Sequence, residues 1–244
     1  MVVADGQKSV ARERLGIATT QHHYEQSALV TTVATGRGHD HTAYERFTAS
    51  GPLAVLPMSS RRCAVVWTLR DAEIESVLAQ SDTDFLQALQ KCFGGRLGKL
   101  SAPGARRVYP LALQCASGIV RPRAVLIGNA AHTLHPIAAQ GFNLGLRDAA
   151  ALASVMRETA LSNGDPGDSR VLEEYARMRR RDHKSVTTFT DGLVRVFSND
   201  FTPLVLARNA ALIAADIVPA LKRAIGRRAM GLTRHTRTRF QPHP

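Results

Sequence analysis

The chain opens on an apolar tripeptide, Val2-Val3-Ala4, followed by the turn pair Asp5-Gly6, a pattern that predicts a short buried strand entering a loop. Ser27–Thr35 is dense in β-branched residues and predicts a strand closed by the loop Gly36-Arg37-Gly38-His39-Asp40. Ala43–Phe47, Leu53–Pro57 and Cys63–Leu69 continue the series between turn residues, so an antiparallel meander is expected. Helical spacing then appears within 72–80 (Ile74, Val77, Leu78) and 83–93 (Phe85, Leu86, Leu89, Phe93), with Ser81-Asp82 as break and cap. Strand character returns over Arg106–Gln114 and Arg123–Ile127, the second stopping at Gly128. Phe142–Glu158, with apolar residues at 142, 146, 149, 153 and 156, predicts a helix that stops in the run 162–167. A long helix resumes near Asp168 and passes through Arg179-Arg180-Arg181. Thr202-Pro203, read as cap and first helical residue, starts an amphipathic segment Leu204–Ile225, and the tail from Gly231 reads as basic and loose.

Composition narrows the class. With 244 residues, 44% hydrophobic and 21% charged, the chain is ordinary globular material for one large domain or two small ones, not disorder, collagen or coiled coil. Cys63, Cys92 and Cys115 are odd in number and contain no C-x-x-C pair, which suggests neither a disulfide framework nor a zinc knuckle and fits a reducing compartment. The net charge of +12 is concentrated: residues 170–244 hold 15 basic and 6 acidic side chains. Such a pole suits nucleic acid, anionic lipid or an anionic cofactor, and charge alone does not choose among them. No signal peptide is read at the start. The longest apolar stretch, around Leu204–Leu221, is broken by Arg208 and Asp216 and is too short to span a bilayer. The expected location is cytoplasmic, peripheral at the inner face of the membrane.

The informative chemistry lies in Ala124–Asp148, where a buried strand ends at Gly128-Asn129, a loop carries Pro136, and a helix opens near Phe142-Asn143 behind Ala139 and Gly141. First-turn amides and the positive end of a helix dipole form a site for an anionic or strongly accepting group. Asn129 offers an amide to hydroxyls and Pro136 a flat apolar surface. Gly128-Asn129-Ala130-Ala131-His132, Pro136, Gln140-Gly141-Phe142-Asn143 and Gly145-Leu146-Arg147-Asp148 resemble the second flavin-binding motif of the FAD-dependent aromatic hydroxylases, most closely their ubiquinone-biosynthesis branch. Gly51–Met58 and Tyr109–Leu113 resemble that branch's substrate-domain strands. Val3-Ala4-Asp5-Gly6 with Ser9 and Arg12 resembles its Asp-Gly motif, which lies near the FAD pyrophosphate and the nicotinamide nucleotide.

The resemblance implies an α/β chain corresponding to the carboxyl-terminal part of a two-domain FAD-dependent hydroxylase. Its parts are the end of an FAD-domain segment at 1–21, a mainly antiparallel substrate domain at 22–115, an FAD-domain return at 116–165, C-terminal helices at 166–232 and a basic tail at 233–244. It implies hydroxylation of a polyprenylated phenol with FAD, NAD(P)H and O2, and cofactor contacts from Asp5, Gly6, Gly128, Asn129, Pro136, Gln140, Gly141, Phe142 and Asn143. The amides of 141–143 are expected near N1 and the C2 carbonyl of the reduced flavin, where negative charge collects. No acid–base pair is required, since a phenol activates its own ring. Implied partners are the prenylated substrate, anionic membrane through the C-terminal basic helices, and other ubiquinone-biosynthesis proteins, with no nucleic acid. Ala139 stands where the family has glycine, and no G-x-G-x-x-G is found, since Gly36-Arg37-Gly38 runs into His-Asp-His. Weak or no FAD binding by this polypeptide alone is therefore expected.

Other readings stay open: an aromatic hydroxylase of another pathway, or a non-enzymatic basic module binding membrane or nucleic acid. His132 and His135 have ligand-like spacing, but no neighbouring carboxylate or thiolate is apparent and no metal is expected. His39-Asp40-His41 reads as a polar hairpin tip. Asp148, beside Arg147, reads as a surface or helix-packing residue, Gly145 as permitting close helix–sheet packing, and Arg179–Arg181 as either a solvated face or a lipid contact.

Overall fold

The computed structural model describes residues 1–137, 140–197 and 201–229, with the side chains of 228 and 229 left aside. Ala139 and the tail from 230 onward, both singled out in the sequence, lie outside the described residues. In chain order the elements are β1 (Val2–Val3), α1 (Val10–Arg14), β2 (Thr19–Thr35), β3 (Tyr44–Thr48), β4 (Gly51–Pro57), β5 (Arg62–Arg70), α2 (Asp71–Leu78) and α3 (Asp82–Phe93). There follow β6 (Leu100–Ser101), β7 (Arg107–Ala116), β8 (Val120–Arg121), β9 (Ala124–Leu126), β10 (His132–Thr133), α4 (Gln140–Leu161), α5 (Ser169–Phe197), α6 (Thr202–Ile217) and α7 (Pro219–Ala229). The chain divides into two units. One comprises Met1–Thr20, Gln114–Gly192 and the described residues from Phe201, and the other Gln21–Leu113 with the described residues from Leu193.

The second unit is the expected meander. Its sheet runs β7-β2-β5-β4-β3, with β6 beside the end of β2. Pairing is antiparallel throughout β2–β5, β5–β4 and β4–β3. Alternation sends Leu29, Val33, Leu53, Val55, Val65 and Trp67 to one face, where they form a core with Phe85, Leu89 and Phe93 of α3. Ser81 caps α3 by accepting the Asp84 N–H at 3.2 Å. The opposite face carries Val30, Thr32, Ala54, Ala64 and Val66, all half-buried, with Val66 paired to both Val30 and Ala54. β2 begins at Thr19, eight residues before the expected start. Its first five residues are exposed and polar, so they carry no apolar alternation to announce a strand. The 39–41 segment is a polar turn, where the His39 Nε2 meets the Met58 carbonyl at 2.8 Å.

In the first unit β1 runs parallel to β9, and β8 pairs antiparallel on its other side. The α4 helix spans the expected region, but its buried residues are Gln140, Leu144, Asp148, Leu152 and Val155. Phe142 and Leu146, which marked it in the sequence, are 76% and 54% exposed. Leu152 packs with Val125 and with Leu172 and Tyr175 of α5. The expected amphipathic segment Leu204–Ile225 is instead two helices bent by 103° at Val218. Pro219 opens α7 and cannot continue α6. Phe201 rather than Thr202 is the N-cap of α6, and no side chain caps it.

Phe85 is fully buried, with the Arg106 guanidinium 4.4 Å above its ring. Replacing it with alanine is expected to destabilise the fold by roughly 3–5 kcal/mol, read from urea unfolding midpoints. A change below about 1 kcal/mol would show that α3 does not close this core.

Candidate flavin site

The site starts from the pairing of two short strands. Val2 and Val3 lie in register with Val125 and Leu126, and the Ile127 N–H donates to the Val3 carbonyl at 3.0 Å. The segments Asp5-Gly6 and Gly128-Asn129 therefore leave the same carboxyl edge of a parallel pair, the place where α/β sheets bind ligands. Gly128 has φ +58 and opens a 3-10 turn over Gly128–Ala130. The turn packs against α4, and a Cβ on Gly145 would come within 3.3 Å of the Gly128 Cα, so glycine there permits the close approach.

The first loop is held by its own polar groups. Ser9 caps α1 by accepting the Arg12 N–H at 3.0 Å, and the Asp5 carboxylate accepts the Ala11 N–H at 3.1 Å. The hydroxyl of Ser9 and that amide hold the exposed Asp5 carboxyl below the usual carboxylate range. Arg12, 4% exposed, donates to the Ala130 carbonyl at 3.0 Å and to the Gln7 carbonyl at 3.1 Å, and so ties the two loops together.

Among the sequence-predicted residues, Asp5, Gly6, Gly128 and Asn129 come together at this edge, with Asp5 and Asn129 exposed. Gly141, Phe142 and Asn143 lie in the first turn of α4, whose helix packs on the Gly128 turn. Pro136 is exposed in the connecting loop, whereas Gln140 is almost wholly buried. Among the described residues a Cβ added at Gly6, Gly128 or Gly141 would meet nothing within 4 Å. Backbone amides, one carboxamide and glycines suit the accepting edge and hydroxyls of FAD.

Of the two readings of Asp148, surface or helix packing, the structure bears out the second. Asp148 is fully buried, on the helical stripe between Leu144 and Leu152, and not at the surface. Its Oδ1 accepts from the Arg179 Nε at 2.7 Å and lies 2.6 Å from the His183 Nε2. Its Oδ2 accepts the Gly128 N–H at 3.3 Å and lies 3.5 Å from the His132 Nε2. Arg179 is itself buried, unlike Arg180 and Arg181 of the same run, which are exposed, and it pairs also with Asp182, which accepts from the Arg147 Nε at 2.9 Å. Arg179 and His183 escaped the sequence reading because a solvated basic run and a buried one look alike. The available signal was the i, i+4 spacing of Asp148 from two buried leucines.

A carboxylate thus does accompany His132, and His132, Asp148 and His183 offer ligand atoms within 4.8 Å of one another. A divalent cation there would share its carboxylate with a guanidinium and a donating imidazole. The contacts are those of an ion-pair network. Burial opposes the Asp148 charge, but the His183 hydrogen bond and the surrounding cations hold its carboxyl below the usual range. Burial, and then the neighbouring His183 charge, lower His132 to about 4, while burial alone lowers His135 to about 4.

Both imidazoles stay neutral in the fold below the ordinary histidine value of 6.5, whereas the unfolded chain takes up their protons there. The unfolded state binds more protons between about pH 6.5 and 4, so stability falls as pH drops through that window, by on the order of a few kcal/mol. Urea unfolding at pH 7 and pH 5 should show the loss, and His132→Gln with His135→Gln should flatten it. A wild-type midpoint unchanged between the two pH values would contradict the neutral assignment.

Residues 1–190 match the family described as FAD binding domain. The chain is 42% identical over 231 residues to ubiquinone hydroxylase UbiL of Rhodospirillum rubrum, covering 95% of this chain and 54% of that protein. It is 34% identical over 233 residues to 3-demethoxyubiquinol 3-hydroxylase of Escherichia coli, covering 95% and 59%. Among solved structures, p-nitrophenol 4-monooxygenase PnpA of Pseudomonas putida matches with a TM-score of 0.74 at 18% identity, over 98% of this chain and 59% of that one, a likeness of fold. The chain spans about half the length of the curated relatives it matches. The expected mixed α/β fold, part of a two-domain flavoprotein fold, is borne out. By sequence match and by fold, the chain belongs to the FAD binding domain family, in the branch that includes ubiquinone hydroxylases.

Proposed function

We propose that this chain serves an FAD-dependent monooxygenase that hydroxylates the ring of a polyprenylated phenol in ubiquinone biosynthesis, with NAD(P)H as reductant and O2 as oxygen source. The observation that carries the proposal is the joint exit of Asp5-Gly6 and Gly128-Asn129 from paired parallel strands beside the first turn of α4. Bound FAD supplies the redox chemistry and the activation of oxygen. The chain's own part is binding and electrostatics. Backbone amides of Gly141–Asn143 would hold the accepting edge of the ring system, with the Asn129 amide and Pro136 beside it. Asp5-Gly6 would hold the FAD pyrophosphate and meet the nicotinamide nucleotide. The low-relief apolar face of Val30, Ala54, Ala64 and Val66 suits a ring bearing a hydrocarbon chain.

We further propose peripheral attachment to the inner face of an anionic membrane through α6 and α7. Leu206, Ile213 and Ile217 are 65%, 60% and 72% exposed, and Lys222, Arg223 and Arg227 are exposed in the next helix. Among the described residues no single helix is long and apolar enough to cross a bilayer, so contact from one side is the geometry proposed.

Disrupting the gene should leave cells accumulating a prenylated phenol one ring oxygen short of the next intermediate, seen by mass spectrometry. The intact gene should reverse this and a Gly141→Val version should not. An unaltered quinone pool would overturn the assignment. For the membrane contact, co-sedimentation with vesicles should rise with anionic lipid content. Reversing Lys222, Arg223 and Arg227 to glutamate should weaken it at least tenfold, since each basic residue near such a surface contributes roughly 1 kcal/mol. Binding indifferent to lipid charge and salt would remove the electrostatic attachment.

A further inference from the structure

The turn that carries Asn129 packs against α4, and hydrogen bonds anchor both of its ends. Gly128 sits at φ +58, and among the described residues no atom lies within 4 Å of where a Cβ would be, so no side chain at this position fixes the turn and its backbone hydrogen bonds carry its orientation. One comes from Arg12 to the Ala130 carbonyl, at the far end of the turn. At the near end the Gly128 N–H is taken by the Asp148 Oδ2, which also faces His132, two residues beyond the turn. We propose that Asp148 is the positioning residue of the segment Gly128–His132, setting where Asn129 stands. The inference rests on the flavin reading above.

The chemistry around Asp148 leaves little choice of residue. The groups at hydrogen-bond distance present N–H on both sides: Gly128 on Oδ2, and Arg179 and the imidazole of His183 on Oδ1. Only a carboxylate accepts on both sides. Asp148→Asn keeps the size, but its oxygen is drawn to the Arg179 guanidinium, and its NH2 is then turned on the Gly128 N–H. The same substitution would be mild if Asp148 served only to fill space between Leu144 and Leu152. Arg147 and Asp148 of α4 interleave with Arg179, Asp182 and His183 of α5, with alternating charge along the contact. The register of α5 is thereby read out at the turn through one carboxylate.

The test is amide hydrogen exchange on the 244-residue chain. In Asp148→Asn, amides of 128–132 should exchange at least tenfold faster, while those of β9 and of α4 around Leu152 keep their rates. FAD affinity, weak in this polypeptide alone and therefore titrated on the same samples by equilibrium dialysis up to millimolar FAD, should fall at least tenfold. His183→Gln removes one imidazole and keeps the Asp148–Arg179 charges. It should speed exchange in the same five residues two- to threefold, and it decides the matter where the first variant does not fold. Uniform acceleration across α4 and α5, or none at the turn, overturns the positioning role. Selective acceleration with FAD affinity unchanged keeps Asp148 as the anchor and overturns the flavin reading of the turn.

Discussion

A fully buried carboxylate has to find donors for both oxygens or shed its charge, and Asp148 meets that demand from two other segments at once. Arg179 and His183 come from α5, Gly128 from the turn after β9, and Asp148 itself from α4. Removing one partner of such a pair typically costs about 3–5 kcal/mol, because the other charge is left buried. One helical turn away the same two helices meet through Leu152, Leu172 and Tyr175, where contact is apolar. That apolar stretch supplies most of the adhesion. It would tolerate a small slide of one helix along the other, whereas alternating charges at Arg147, Asp148, Arg179 and Asp182 would not. The ionic contact therefore sets register where the apolar contact sets strength. The Tyr175 phenol, buried near the Asp148 charge, is pushed well above its ordinary value and stays protonated.

Register matters because the polar groups offered to a cofactor lie on loops. A short parallel pair, two residues on each strand, is all that aligns the exits of Asp5-Gly6 and Gly128-Asn129. Such a pair is marginal alone, and the surrounding contacts compensate. Val3, Ile17, Leu126, Ala130 and Ala131 form a small core beneath it. Arg12 then joins one loop to the other with two bonds to carbonyl oxygens. A loop site held by backbone hydrogen bonds to buried charges keeps its geometry without filling the space a ligand needs.

The meander was legible because each strand alternates between a continuous core and a half-buried face, and because Ser81 marks the start of α3 with its own hydroxyl. The flavin segment was legible through its motif, although motif and pattern together could not say which face of α4 is buried. That helix carries apolar residues on more than one side, and the stripe through Phe142 and Leu146 is the exposed one. The buried stripe includes an aspartate, which any reading by hydrophobic spacing skips. The break at Val218 was hidden for a related reason, since Pro219 is compatible with a kink as with a new helix start. The first residues of β2 are exposed, so the sheet extends beyond what burial can write into sequence.

Under the proposed function the two units answer different chemical demands. The first presents donors whose positions depend on buried charges, so most changes there disturb cofactor geometry. The second presents one face of a sheet whose other face is a closed apolar core. Along the presented face Val30, Ala54, Ala64 and Val66 are small, while Thr32, paired with Ala64, accepts a hydrogen bond from the Arg62 guanidinium at 2.6 Å. Enlarging one of them alters the shape met by a ring or a hydrocarbon chain while leaving the core and the flavin loops untouched. Substrate preference can therefore change by single substitutions on that face, whereas the turn at Gly128 tolerates change only if its carboxylate anchor is kept.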